Sequence, residues 1–369
     1  MGRRRVTLAD VAREAGVSST TASLVLSGRG VELRISDVVQ ERVREVSERL
    51  GWRPNIVSVG LRRGSSRTLG FISDTVATSQ LAGDLIKGAL EAAHERGYML
   101  FIGESEGDPQ LEAELTDALL DRQVDGIILG SMFTLDRALP AALEHVPTVL
   151  LNALPLPAGA SVAPSLVPSL VPSLVPSPVP DELEAGRAAA RLLLDAGHRS
   201  IHIVGAGAHP GQTPPGTVAG RERLVGILEV LAAAGVEPVS GHLCTEWLPP
   251  DGYRAVSRLL AEHGPGQALI TFNDRLAFGA YQAVQEAGLS VPEDVSIVSF
   301  DDHPLAGWLR PGLTTFAIPH EALGRRAVEL LLATIDGQPA VPAPATEHRL
   351  PMPLRERHSV ARTGREGQR

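Results

Sequence analysis

From Thr68 onward the chain alternates short apolar runs with helix-length stretches, and this rhythm restricts the fold more than any other feature. "TLGFIS", "YMLFI", "DGIILG" and "TVLLN" are nearly unbroken apolar runs, the pattern of strands buried on both faces of a parallel sheet. Helical stretches such as Leu81 to Arg96 and Leu111 to Asp121 lie between them. The alternation then resumes with helix Asp181 to Ala196, strand "SIHIVG", helix Arg221 to Ala234, strand "ALITF", helix Asp274 to Ala287 and strand "VSIVSF". Two doubly wound parallel-sheet units of similar size follow, an α/β fold.

The two series are separated by "PSLVPSLVPSLVPSPVP", Pro164 to Pro180, four near-identical copies of a four-residue unit. In the three units before the last, prolines at this spacing exclude a helix and any inner strand, leaving an extended, polyproline-like loop.

A net charge of -9 over 369 residues argues against a protein that coats nucleic acid, but the charge is uneven. Met1 to Arg63 holds 12 arginines against 7 acidic residues. A basic head on an acidic body suggests a nucleic-acid module joined to something else. No apolar run approaches the ~18 residues needed to cross a bilayer, so no membrane partner is expected. Arg3, Arg4 and Arg5 mimic the start of a signal peptide, but Thr7 to Glu14 follows with two acids and no apolar stretch. The expected compartment is the cytoplasm. The single cysteine, Cys244, permits neither an intramolecular disulfide nor a cysteine-based zinc site.

The head resolves into three short helices. In "TLADVAREAGVS", Thr7 can N-cap with Asp10 three residues on, and Leu8, Val11, Ala12 and Ala15 form one apolar face before Gly16 ends the helix. Ser18 caps a second helix, Ser19 to Ser27, after a link of about three residues, which is helix-turn-helix spacing. A third helix lies in "SDVVQERVREVSERLGW", capped by Ser36 and stopped by Gly51. On the second helix, Thr21, Ala22, Val25 and Leu26 share the packing arc, while Thr20, Ser23, Leu24 and Ser27 can face a groove.

"VTLADVAREAGVSSTTASLVLSG" at Val6 to Gly28, "GWRPN" at Gly51 to Asn55 and a following segment ending at Leu61 together resemble the lactose-repressor (LacI/GalR) family of bacterial transcription regulators. The strand and helix series extends the resemblance over almost the whole chain. It implies an N-terminal helix-turn-helix head and a periplasmic-binding-protein-like core of two doubly wound subdomains facing one another across a ligand cleft. By this resemblance Ser19, Thr20 and Leu24 read bases, and Thr7, Ser18, Ser23 and Arg29 complete the DNA-contacting set in the head, with Asn55 and Leu61 beyond it. Hydroxyls discriminate little between bases and Leu24 offers only apolar contact, so direct readout is modest. In the family, the stretch matching Pro54 to Arg63 folds into a short helix on DNA and wedges a leucine, here Leu61, into the minor groove. Gly60 and Ser58 weaken such a helix, Gly60 by about 1 kcal/mol relative to alanine. A plain linker is the alternative reading.

The implied division is 1–53 for the DNA-binding domain, 54–66 for the hinge, 67–163 with 314–340 for the first core subdomain and 164–180 for the repeat insertion at the crossover. Residues 181–313 with 341–355 form the second subdomain and 356–369 a polar tail. "LTTFAI" at Leu313 to Ile318 is expected to cross back to the first subdomain, and a last strand near His348 to Met352 to return to the second.

Ligands of such folds sit at the carboxyl ends of the strands. Candidates there are Asp74, Gln80, Asn152, Asn273, Asp274, Asp301 and Asp302. The resemblance assigns Asn152, Arg223, Trp247, Asn273 and Asp301 to effector contacts. Carboxylates and amides suit paired hydroxyls, arginine supplies a donor fork, and an indole face suits a pyranose, so the expected effector is a carbohydrate. Asp274 capping a helix, Asp302 capping a turn and Trp247 packing on Pro249 are the plainer alternatives. The segment Ser73 to Gly83 lacks the aromatic that many members carry there.

Catalysis finds little support. "GAGAHPG" after "IHIV" resembles a dinucleotide loop, but Pro210 stands where its third glycine belongs, and no Walker A, G-x-S-x-G or H-E-x-x-H motif occurs. The histidines show no metal-ligand spacing, so neither metal nor cofactor is expected. The alternatives are a cytoplasmic sugar-metabolism enzyme and a sugar-binding protein without DNA-directed function. The favoured reading is a homodimeric repressor whose heads read a near-palindromic double-stranded operator while an effector in the cleft tunes their affinity.

Overall fold

The computed structural model describes residues 6–53, 64–77, 83–156, 175–337 and 347–363. The chain divides into two compact units at Arg67/Thr68.

The head comprises α1 (Leu8–Ala15), α2 (Ser19–Leu26) and α3 (Asp37–Leu50). Thr7 and Asp10 form a reciprocal capping box at the start of α1, and Gly16 ends it in the left-handed conformation at φ 67. Ser18 caps α2 by accepting from the Thr21 amide at 3.0 Å. Ser36 occupies the N-cap of α3 but makes no capping hydrogen bond, contrary to expectation. Val11, Ala12, Ala15, Ala22, Val25, Val43 and Val46 close a small core, with Trp52 packed against it.

The core unit contains two parallel sheets. The first runs β2-β1-β3-β4, from β1 (Thr68–Ser73), β2 (Met99–Glu104), β3 (Gly126–Arg137) and β4 (Thr148–Pro155). Helices α4 (Gly83–Glu95) and α5 (Pro109–Asp121) connect its strands. The second half follows as α6 (Glu182–Asp195), β6 (Ile201–Gly205), α7 (Val218–Ala233), β7 (Ser240–Leu243), α8 (Pro249–His263), β8 (Gln267–Thr271), α9 (Asp274–Glu286), β9 (Val295–Asp301), α10 (Pro304–Trp308) and β10 (Thr314–Ala317). Helix α11 (His320–Ile335) comes next, and two short strands, β11 (Glu347–Leu350) and β12 (Leu354–Arg355), end the described chain. The second sheet has the order β12-β10-β9-β8-β6-β7, parallel except for β12.

Three expectations about the chain path need correcting. Thr314–Ala317 does not cross back: β10 pairs along β9 in the second sheet, and all four of its residues are buried there. The crossing comes one element later, where Leu323, Ala327, Val328 and Leu331 of α11 pack into the core of the first sheet. The strand expected near His348 to Met352 does not join the second sheet either. Glu347–Leu350 pairs in parallel with β5 (Ser177–Pro180), the end of the repeat tract, and Leu354–Arg355 adds the antiparallel edge to β10 instead. The tract's last unit is therefore a strand, which its prolines permit because a two-stranded ribbon consists only of edges. Finally, the tail is anchored up to Thr363: Ser359 is buried, donates to the Ile297 carbonyl at 2.6 Å and accepts from the Thr314 amide at 2.8 Å, while the Thr363 amide donates to Ala196 at 2.7 Å.

Helices on the core faces pack at glycine. A Cβ on Gly88 of α4 would lie 2.0 Å from the Glu321 carbonyl, and one on Gly324 of α11 would lie 1.9 Å from the Leu85 carbonyl. The same reciprocal contact joins α6 to α7 through Gly186 and Gly226, and α8 to α9 through Gly252 and Gly279.

Candidate functional site

The two halves of the core enclose a cavity of about 790 Å³. Its walls come from the carboxyl ends of strands and the helix starts that follow them. Asn152 of β4, Arg223 of α7, Trp247 before α8, Asn273 before α9 and Asp301 at the end of β9 all line it. Their polar atoms are already engaged by the protein, which fixes their orientation. Asn152 accepts from Thr134 Oγ1 at 2.6 Å and donates to the Ser131 and Met132 carbonyls at 3.1 and 3.0 Å. Asn273 caps α9 through the Leu276 amide at 2.8 Å and donates to the Trp247 carbonyl at 3.2 Å. The Trp247 indole donates to the Gly205 carbonyl at 2.9 Å and stands edge-on to Phe272.

The cavity wall includes a buried charge cluster. Arg223 forks onto Glu182 through Nε at 2.6 Å and Nη2 at 2.9 Å, donates to the Phe272 carbonyl and stacks over Phe300 at 4.5 Å. Asp301 lies 3.6 Å from the same guanidinium. Burial alone disfavours the Arg223 charge, but the Glu182 and Asp301 carboxylates outweigh it and hold the group above its ordinary range. Burial raises Asp301 to about 6, against the lowering effect of Arg223. Asp274 is raised to about 8, first by burial and then by repulsion from Asp301.

Asp274 does not line the cavity. Its oxygens accept from the His303 amide and Thr315 Oγ1, both at 2.8 Å, so it fixes the loop after β9. Asp74 is not among the lining residues either: it accepts from the Met132 amide at 2.9 Å and holds the irregularity in β3. Gln80 lies outside the described residues. Asp302, a strand-end candidate whose plainer alternative is a turn cap, accepts from Arg357 at 2.7 Å and lines the cavity. Sequence reasoning missed Glu182, Phe133, Arg275, His303 and His320 among the lining residues. Nothing local marks Phe133, which reaches the cavity only because β3 continues past its apolar run.

In the head, Ser19 and Thr20 are exposed at the start of α2, and Ser23 and Leu24 are half-buried. Thr7 and Ser18 are exposed but use their hydroxyls in capping. Arg29 pairs with Glu32 through two contacts of 3.2 Å. Asn55 and Leu61 lie outside the described residues.

Comparison with known proteins places this geometry. Residues 7–55 match the family of bacterial regulatory proteins called the lacI family, and residues 190–360 match a periplasmic binding protein-like domain. The HTH-type transcriptional regulator DegA of Bacillus subtilis (strain 168) is 30% identical over 323 residues, covering 87% of this chain and 88% of DegA. This chain belongs to the lacI family of bacterial regulatory proteins. The regulator is also 28% identical to the ribose operon repressor of Escherichia coli (strain K12) over 332 residues, 89% of this chain and 93% of that one. Its fold matches a lac repressor dimer bound to operator and the anti-inducer ONPF with a TM-score of 0.75, at 24% identity over 97% of this chain and all of that one. It is accordingly a DNA-binding transcriptional regulator with a helix-turn-helix head and a two-sheet core.

Proposed function

We propose that the regulator is a repressor that binds a near-palindromic operator as a homodimer in the cytoplasm and is controlled by a carbohydrate in the core cavity. The observation that carries this reading is the conjunction, in one chain, of a helix-turn-helix head and a two-walled cavity lined by fixed amides, a carboxylate and an indole. The repressor is similar to a ribose operon repressor, which favours a sugar as the effector. Dimerisation is supported by apolar surface on the edge strand β2, where Met99 is 59% exposed and Ile102 41%, and by Trp308 at 72%. Such surface is costly on a monomer. A sensing role for the core, rather than catalysis, is favoured by the regulators it resembles and by the mutual pairing of Glu182, Arg223 and Asp301 in the cavity wall.

Closure of the two walls on the effector changes the affinity for DNA to the extent that the effector binds one state better than the other. A gel-shift with the DNA upstream of the regulator's own gene tests the reading. Specific binding, weakened at least about tenfold in Leu61→Ala and in a Ser19→Ala/Thr20→Ala pair, is expected. Equal affinity for random DNA would sink it.

A further inference from the structure

The ribbon of β5 and β11 stands where the chain passes between the two sheets: β5 follows β4 and leads into α6, and β11 follows α11 and leads to β12. Few contacts place β5. The Pro176 carbonyl accepts from the Leu150 amide at 3.1 Å, Ser177 Oγ donates to the Ala153 carbonyl, and the Val179 side chain is buried. Beyond Pro180, the Asp181 amide donates to the Leu350 carbonyl at 2.8 Å. The seat therefore selects Pro-Ser-x-Val-Pro followed by a residue with an amide.

The chain carries that string more than once. Pro172 to Pro176 reads Pro-Ser-Leu-Val-Pro against Pro-Ser-Pro-Val-Pro at Pro176 to Pro180, and two further copies precede it. A strand slipped by one residue turns its buried face outward, whereas a slip of an even number returns every side chain to its own face. The repeat advances four residues at a time. Displaced by one unit, the seat would receive the Pro172 carbonyl for that of Pro176, Ser173 for Ser177 and Val175 for Val179, and the Ser177 amide would meet the Leu350 carbonyl. The one mismatch is Leu174 in the place of the buried Pro178. A larger side chain in a close-packed place is unfavourable, which makes the last unit the preferred occupant.

Two contacts hold the start of α6 independently of β5. Asp181 caps the helix through the Glu184 amide at 3.1 Å, and Glu182 is forked by Arg223. Ser177 to Pro180 would then leave as a short turn between the seat and α6, beside the cavity wall that Pro180 and Glu182 line.

We propose that the seat on β11 is degenerate: the chain exchanges between the register of Ser177–Pro180 and one displaced by a single repeat unit, so that the tract holds reserve length for the crossing between the sheets. The last unit, marked by Pro178, is the major occupant.

The test uses the full chain with Cys244→Ala, so that Val179→Cys supplies the only thiol. Seated, that thiol is buried; displaced, it reaches the surface and reacts with a thiol reagent. Labelling is expected at a rate that urea below the unfolding transition barely changes, because a slip exposes little surface. Pro178→Leu, which makes the two units alike, should speed it about tenfold or more. Val171→Gly/Ser173→Gly touches no residue of the preferred register but removes the valine and the serine that the displaced one needs. It should slow labelling about tenfold or more, cancel the effect of Pro178→Leu, and leave thermal melting unchanged. Labelling that is equal with and without Val171→Gly/Ser173→Gly is fraying of the ribbon and overturns the proposal, as does a Pro178→Leu increase that survives that pair. A thiol that reacts only in step with global unfolding also overturns it.

Discussion

Asp274 has no exposed surface, yet its neighbours are a carboxylate, two hydroxyl-bearing residues and a loop amide. Its ordinary value of 3.8 is raised to about 8, so the folded protein keeps a proton that the unfolded chain releases near pH 4. Between those values the native state binds more protons than the unfolded state, and stability therefore falls as pH rises. The slope contributed by one such proton is on the order of 1 kcal/mol per pH unit. Asp274→Asn keeps the shape and a carbonyl acceptor without the charge. Urea denaturation from pH 5 to pH 8.5 should show a shallower decline in the variant than in the wild type, and the variant should be the more stable at pH 8.5. Parallel curves would place the proton elsewhere. Asp301, raised to about 6, adds a smaller decline of the same sign over the lower part of that range, so the variant retains some slope.

The three glycine-to-backbone contacts explain why the core helices come in pairs. Removing the side chain at the crossing lets two backbones approach until each carbonyl fills the space of the other's missing Cβ. Gly324→Ala would put a methyl group 1.9 Å from the Leu85 carbonyl, which requires α4 and α11 to part. Overpacking of this kind costs about 1–3 kcal/mol, although alanine is the better helix former by about 1 kcal/mol. The expected net result is a loss of stability, read as a lower denaturation midpoint. A gain would mean that the helix pair slides freely. These contacts also show what was readable in advance. Central strands such as Ile127 to Leu129 and Ala268 to Ile270 announced themselves, because burial on both faces demands unbroken apolar runs. Helices α8 and α11 went unmarked, since polar residues lace their exposed faces, although glycine inside each was a signal of close packing. The sheet to which β10 belongs could not be read from its residues, which are apolar and β-branched enough for either; its partner decides. In the site, strand ends located Asn152, Asn273 and Asp301.

At the scale of the molecule, the repeat tract enters the core at a defined anchor. The Leu150 amide donates to the Pro176 carbonyl at 3.1 Å, and Ser177 Oγ donates to the Ala153 carbonyl. Val175 packs against the apolar cluster that includes Leu143 and Leu150. Deletion of Pro164 to Leu174 spares all of these contacts and shortens only the connection before them. Loop-closure entropy changes by less than about 1 kcal/mol for such a change in length. The variant is expected to melt within a few degrees of the wild type and to bind operator with unchanged affinity in a gel-shift, while its response to effector is the measurement open to change. Unfolding on deletion would show that the tract itself holds the core together.

The interleaved path of the core has a consequence for the protein's synthesis. Pro155 completes the first sheet, but α11, which covers it, begins only at His320. At ~5–20 residues per second, roughly 10–30 s pass between the two. Throughout that interval the nascent sheet is without a helix that buries Leu69, Phe71, Val149 and Leu151. The head, contiguous before Arg67, has no such wait. On the ribosome, the part that grips DNA can thus mature well before the part that governs its grip, and slow translation through the second half prolongs the time in which the first is open to aggregation.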